Sequence, residues 1–488
     1  MKKINYFLFI VFFISISVLF YSCEKSNNNN LSDLKISSGE LIPVFNPLIT
    51  EYSVSSLNSL RPIIISATAE KKRAKIIIND SVENGKPFIV NALNRTDKIK
   101  IQVTAPNGSV KEYTIAVLPK DFPFLSAEVF KDAFKANLYL SSFSFEKPEV
   151  QPNGRYILIY NEKGQPVYYK KMKIAAMDFK KHPDNTYSYN IVDSIFGGIA
   201  FGQVVIMDSD FNVTGTYRSN EGITESHEFQ LLNNGNKLFL ASERKLMDLT
   251  QLSGNSKATV FGVVLEEQDT KGKVVFTWKS WNEIKVTDVT PDINIKSLFI
   301  PNLHSNSMAV DKDGNILLSS RHLDEITKID RKTGKIIWRM GGKHCKNNQF
   351  KFINDPMNGF SHQHSITILP NGNILMLDNG NLHNNDKPKF VNIPGKKTII
   401  DTNEKPTHIS RAVEYKIDEI NKTAELVWEY KAKFGTTGMG SVQRLPNGNT
   451  LICWGYAIPA VNEINTKGEV VLQLNLPPTY FSDKALKY

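Results

Sequence analysis

The 488-residue chain carries 59 Lys and Arg against 49 Asp and Glu, a formal net charge of +10, and 41% of it is hydrophobic. This is an ordinary globular balance, long enough for two or three domains with large cores, and its positive surplus suits anionic ligands or an anionic surface. The lysines are scattered, with no basic stripe interleaved by aromatics, which argues against a nucleic-acid partner.

The N-terminus reads as a targeting segment. Lys2 and Lys3 precede an apolar run over residues 4–20, and the small Ser22 stands before Cys23. Residues 1–23 resemble a bacterial lipoprotein signal, which implies a chain lipidated at Cys23 and anchored in the cell envelope, facing the periplasm or the cell surface. The alternatives are an ordinary secretory peptide or, since the run is barely long enough to span a bilayer, an uncleaved anchor. Residues 24–30, EKSNNNN, read as a flexible tether. The two remaining cysteines, Cys345 and Cys453, either pair or stay free thiols.

Residues 31–118 alternate short apolar runs with turns, as in AKIIIND, KIKIQVTA and EYTIAVL. This is the pattern of a small β-sandwich. The words LSDLKISSGELIPVFNPLITEYSVS and VTAPNGSVKEYTIAV resemble the cadherin-like β-sandwich domain of exported bacterial proteins, which implies a spacer or adhesion module.

After the linker LPKDFPF the chain repeats itself. A strand–turn–strand element recurs at 157–169, 204–217, 263–278, 326–340, 413–430 and 460–474. A second hairpin alternates with it at 229–241, 308–320, 366–378 and 442–454, with a weaker copy at 182–192. Two hairpins per unit make four strands, so the expected fold is all-β: a six-bladed β-propeller over residues 119–488 preceded by the sandwich. The insertions 279–300 and 341–360 are expected as loops on one face.

Alignment on Gly235, Gly314, Gly372 and Gly448 places His227, Asn306, His364 and Gly440 at one register, and Glu225, His304, His362 and Gly438 two residues earlier. Residues two apart on a strand share a face, and equal registers of successive blades surround the axis. His227, His304, Asn306 and His364 are therefore expected to converge. Arg321, seven residues past its glycine, is expected across the hairpin from Asn306. His182, His322, His344, His383 and His408 share no register and receive no role.

Three neutral histidines can hold zinc, but a neighbouring cation and the lack of a clearly recruited acidic ligand argue against a metal. A ring of His, Asn and Arg suits a tetrahedral oxyanion instead. A neutral histidine can attack a sulfuryl or phosphoryl centre while a second protonates the departing oxygen. No Gly-rich phosphate cradle is present, so no nucleotide donor is indicated.

The words HEFQLLNNGNKLFLASE, HSNSMAVDKDGNILLSSRH, TGKIIWRMGGK, FSHQHSITILPNGNILMLDNGN and SVQRLPNGNTLICWG resemble the arylsulfotransferase (aryl-sulfate sulfotransferase) family over about residues 150–475. The resemblance implies transfer of a sulfuryl group from an aryl sulfate to a phenol, by ping-pong turnover through a sulfohistidine and without a cofactor. It implies His364, in the Gln363-His364 pair, as nucleophile. It implies His227, His304, Asn306 and Arg321 around the sulfuryl oxygens, with one of the two histidines protonating the leaving phenolate. Ser441 is the nearest match to a late-blade hydroxyl, and His362 is assigned to substrate binding beside His364. Two other readings stay open: a surface lipoprotein that binds an anionic glycan or peptide, and a metal-dependent hydrolase or lyase.

Overall fold

The computed structural model describes residues 26–37, 39–55, 63–82, 87–90, 98–129, 131–145, 153–383 and 408–488. The signal segment with Cys23 lies outside the described residues. Contacts divide the chain into two units between Lys120 and Asp121. Among the described residues, no helix is long and apolar enough to cross a membrane.

In the first unit, a three-stranded sheet orders Leu31–Ile36, Ile63–Ala69 and Phe88–Val90. A five-stranded sheet orders Glu51–Ser55, Val110–Leu118, Lys98–Thr104, Lys75–Ile78 and Ser81–Val82. Side chains alternate across each strand. Ile63, Ile65, Ile99, Ile101, Val103, Tyr113 and Ile115 therefore meet in one core.

The second unit is a succession of antiparallel four-stranded sets with propeller-like order. The first set joins chain ends: Ala485–Lys487 pairs with Leu138–Ser142, followed by Arg155–Tyr160 and Pro166–Met172. The second runs Ala175–Lys181, Tyr187–Phe196, Ile199–Met207, Val213–Tyr217. The third runs Ile223–Leu231, Lys237–Met247, Ala258–Gln268, Val274–Lys279. The fourth runs Ser305–Val310, Ile316–Ser320, Glu325–Ile329, Ile336–Gly341. The fifth runs His364–Ile368, Ile374–Asp378, Arg411–Asp418, Thr423–Lys431. The sixth runs Ser441–Arg444, Thr450–Cys453, Val461–Ile464, Val470–Asn475, and Ser126–Val129 pairs with its last strand.

The inner strands of the second to fifth sets break register near their starts. In the fourth set Ser305 pairs with Ser320 and Ser307 with Ser319, so Asn306 is the extra residue of a bulge. This corrects the expected pairing of Arg321 with Asn306: the Arg321 amide donates to the carbonyl of His304 at 3.1 Å instead. His304, His362 and Ser365 adopt left-handed backbone, with φ of 46°, 54° and 55°. The simple alternation that put His362 and His364 on one face therefore fails there. Cys345 and Cys453 are buried free thiols and do not pair.

Four buried charges join the first three sets. Lys180 Nζ lies 2.9 Å from Asp178 and 2.6 Å from Glu228, and Lys484 Nζ lies 2.7 Å from Asp178 and 2.5 Å from Glu228. Burial alone would push the Lys484 ammonium down, but the two carboxylates outweigh it and hold the pKa above the usual lysine range. Asp483 accepts from Ser141 Oγ and from the Asp178 amide, both at 2.6 Å. Removing one partner of such a group leaves an uncompensated buried charge. Lys484→Met should therefore lower stability by roughly 3–5 kcal/mol, read from the urea midpoint. An unchanged midpoint would show that this cluster does not hold the chain ends together.

Candidate functional site

The inner-strand starts of the third, fourth and fifth sets bring His227, His304 and His364 together. The ring centroids of His227 and His304 are 5.2 Å apart, and those of His227 and His364 are 6.3 Å apart. The His227 and His364 rings are buried, and His304 is partly buried with its Nδ1 shut off from solvent. His322, to which the sequence pattern gave no role, extends the group: its ring stands 4.7 Å from His304 in an edge-on contact. The signal for it was adjacency, because it follows Arg321 in a single 3-10 turn, Arg321–Leu323.

Hydrogen bonds fix which nitrogens are free. His364 Nδ1 lies 2.8 Å from the carbonyl of Gly440. A carbonyl only accepts, so Nδ1 carries the proton and Nε2 keeps its lone pair. His322 Nδ1 is fixed the same way by the carbonyl of Pro301 at 2.6 Å. His227 Nδ1 stands 3.5 Å from Glu225 Oε2, and neither atom has a hydrogen bond; His304 Nδ1 is also buried and unpaired. The other oxygen of Glu225 is held by the Ser242 hydroxyl. Buried unpaired polar atoms cost stability, and their concentration in one place marks a site rather than a core.

Burial pushes the His304 and His364 pKa values well below the usual histidine value. His322 adds to the effect at His304, while His227 and the Lys484 ammonium add to it at His364. Burial and the neighbouring Arg321 bring His322 down to about 3. His304, His322 and His364 are thus neutral near pH 7. Arg321 Nη2 donates to the Thr437 carbonyl at 2.9 Å. Asp292 and Asp324 act on its charge, but among the described residues none forms an ion pair with it. Its remaining donors are available to an anion.

Three expected ligands have other partners. His362 is fully buried between carboxylates: Nε2 lies 3.0 Å from Asp292, Nδ1 lies 3.0 Å from Asp324, and its amide donates to Asp324 at 2.6 Å. Both ring nitrogens are thus engaged by carboxylates, which ties this segment to Asp292 and Asp324. Asn306 donates from Nδ2 to the carbonyl of Gln363 at 2.7 Å, which anchors the residue before His364. Ser441 Oγ accepts from the Ala485 amide at 3.1 Å and donates to the Ala485 carbonyl at 3.3 Å. It pins the last strand and has no hydroxyl proton to spare. Sequence reasoning missed Asp292 and Asp324, which reach the cluster through tertiary contacts, and it placed Glu225 and Gly440 in the register without giving them a role. Among the described residues, no three His, Cys, Asp or Glu side chains stand where they could hold a metal ion.

A 102-residue stretch is 30% identical to a protein of Evansella cellulosilytica whose name marks it only as a membrane protein, covering 20% of this chain and 15% of that one. The chain thus spans well under two thirds of that relative. A protein of unknown function from Bacteroides caccae shares 14% identity over 72% of this chain and 99% of its own, with a TM-score of 0.43. Virginiamycin B lyase from Staphylococcus aureus, in a structure with quinupristin, shares 12% identity over 61% of this chain and 69% of its own, with a TM-score of 0.32. Residues 31–118 match the model of the cadherin-like beta sandwich domain. Residues 127–480, well over half of the chain, match the model of the arylsulfotransferase family, and the chain belongs to that family.

Proposed function

We propose that the protein transfers a sulfuryl group from an aryl sulfate to a phenolic acceptor through a covalent intermediate on His364, on a six-bladed propeller and without a nucleotide. The observation that carries this reading is the hydrogen bond from His364 Nδ1 to the Gly440 carbonyl. It leaves a neutral ring with its Nε2 lone pair at the cluster, which is what a histidine nucleophile needs.

In the first half-reaction Nε2 attacks sulfur, an N–S bond forms, and the S–O bond to the aryl group breaks. Arg321 holds the sulfuryl oxygens with its free donors, and His304 faces the same charge. The departing phenolate takes a proton from His227, the ring with a carboxylate beside it, an arrangement that orients a general acid. In the second half-reaction His227 takes the acceptor's proton, the phenol oxygen attacks sulfur, and the N–S bond breaks. A pure binding protein has no use for this set of buried, unpaired imidazole nitrogens, which disfavours the glycan- or peptide-binding alternative. The lipid anchor at Cys23 belongs to the same reading and would hold the enzyme at the envelope.

Three outcomes test it. Incubation with 4-nitrophenyl sulfate alone should add the mass of one SO3 group to the intact protein, and His364→Ala should abolish both the adduct and phenol transfer. An adduct that survives in His364→Ala would refute the assignment.

The pH response follows from the lowered pKa values. A lowered pKa means that His364 gains its blocking proton only at pH values well below about 6.5. The single-turnover release of nitrophenol should therefore hold level from about pH 8 down to about pH 6. Half-loss near pH 6.5 would contradict it.

Finally, Cys23→Ala should move the protein from the membrane fraction to the soluble fraction. Retention at the membrane would point to an uncleaved anchor.

A further inference from the structure

The strands Tyr187–Phe196 and Ile199–Met207 run past the end of their set. Val192 sits by Ala175, the first residue of the inner strand, and the hairpin continues beyond it to the pair Phe196 and Ile199. Its tip is Gly197-Gly198, with φ of 59° and 84°, a two-residue turn that only glycine fits easily. The catalytic histidines stand at inner-strand starts, so this extension rises on their face of the fold. A Cβ added at Gly198 would lie 3.8 Å from His304 Cε1, and one at Gly197 would lie 4.0 Å from Pro301. The tip therefore borders the imidazole cluster directly.

Beside the tip is a group of phenylalanines drawn from four strands. Phe196 meets Phe299 edge-on at 4.8 Å and Phe261 at 5.4 Å, and Phe261 meets Phe201 at 6.1 Å. Phe201 and Phe261 are buried, whereas Phe196 and Phe299 are 41% and 43% exposed. Phe299 is held by the parallel pairing of Phe299–Pro301 with Thr259–Phe261, so the exposed rings rest on ordered backbone. The next residue but one after Pro301 is Leu303, which leads into His304. Rings left half-exposed on a rigid support beside a reaction centre are suited to receive another ring, since offset and edge-on aromatic contacts are favourable.

We infer that Phe196 and Phe299 form a ledge for the second ring of a bicyclic aryl sulfate or phenol, and that they set the enzyme's preference for aryl size. The inference rests on the sulfuryl-transfer reading. With sulfur among the imidazoles, the first ring reaches the level of His304 and the glycine tip, and a fused second ring continues onto the two exposed phenylalanines. The same ledge serves donor and acceptor in turn, because both aryl oxygens occupy the position opposite His364 Nε2. Neither phenylalanine carries a group for the chemical step, so they govern specificity rather than the rate for a single-ring substrate.

The test compares 2-naphthyl sulfate with phenyl sulfate as donors, in the wild-type protein and in Phe196→Ala/Phe299→Ala. Both substitutions shorten exposed side chains, and an unchanged thermal midpoint checks the fold. The wild type should favour the naphthyl donor in kcat/KM. The double variant should lose about tenfold of that preference, the weight of one to two aromatic contacts, through KM. Its kcat/KM for phenyl sulfate and its His364 adduct should stay unchanged. An unaltered naphthyl-to-phenyl ratio, or equal losses on both donors, would overturn the ledge. A wild-type protein that forms no adduct with either donor would defeat the sulfuryl-transfer reading separately. Calorimetric binding of 2-naphthol then decides the ledge: weaker binding by the double variant supports it, and equal binding overturns it.

Discussion

The buried cluster of Asp178, Glu228, Lys180 and Lys484 is the constraint on which the second unit depends. Each carboxylate meets both ammonium groups, so neither pair can be relaxed alone. The four residues come from the second set, the third set and the segment leading into the last strand. Their mutual attraction therefore fixes where the late segment meets the earlier sets. Ser441 and Gln443 extend the same seam by bonding to the backbone of Ala485 and Lys487. Burying four charges is costly in itself, and what it secures is a unique arrangement of inner strands.

That arrangement sets the electrostatics of the site above it. Glu228 follows His227 directly in the chain, and the Lys484 charge contributes to keeping His364 unprotonated. His304 and His364 are thus neutral for two reasons that act together: burial disfavours their charged forms, and the Arg321 cation acts on both. Arg321 has no ion-pair partner among the described residues, although Asp292 and Asp324 act on its charge. An enclosed region with neutral nucleophilic rings and one unpaired cation has a simple preference. Under the proposed sulfuryl transfer, it suits a monoanionic ester whose charge lies on the transferring group.

Much of the fold was legible because hairpins are local. The polar turns at 233–235, 313–315, 371–373 and 447–449 mark inner hairpins whose two strands are adjacent in sequence. The inner hairpin of the first set was not legible, since Leu138–Ser142 and Ala485–Lys487 pair from opposite ends of the chain. The histidine register located His227, His304 and His364, but it assumed regular alternation. Bulges at the strand starts break that alternation, which is why Arg321 lies by His304, Asn306 turns to Gln363, and His362 goes to Asp292 and Asp324. Loop residues such as Asp292 carry no periodic signal at all. Their role emerges only when the 279–300 insertion folds over the cluster.

The proton on His364 is placed by a main-chain oxygen, and this changes how the site can vary. A side-chain acceptor could be exchanged by many single substitutions; the Gly440 carbonyl has no such alternatives. Gly440 itself has a φ of 101°, and a Cβ there would approach the Cys453 carbonyl to 2.6 Å. The residue that orients the His364 ring is therefore closed to gradual replacement, while the phenylalanines at the rim are open to it. If the protein works as proposed, drift would retune which molecules enter long before it altered the bond that is made.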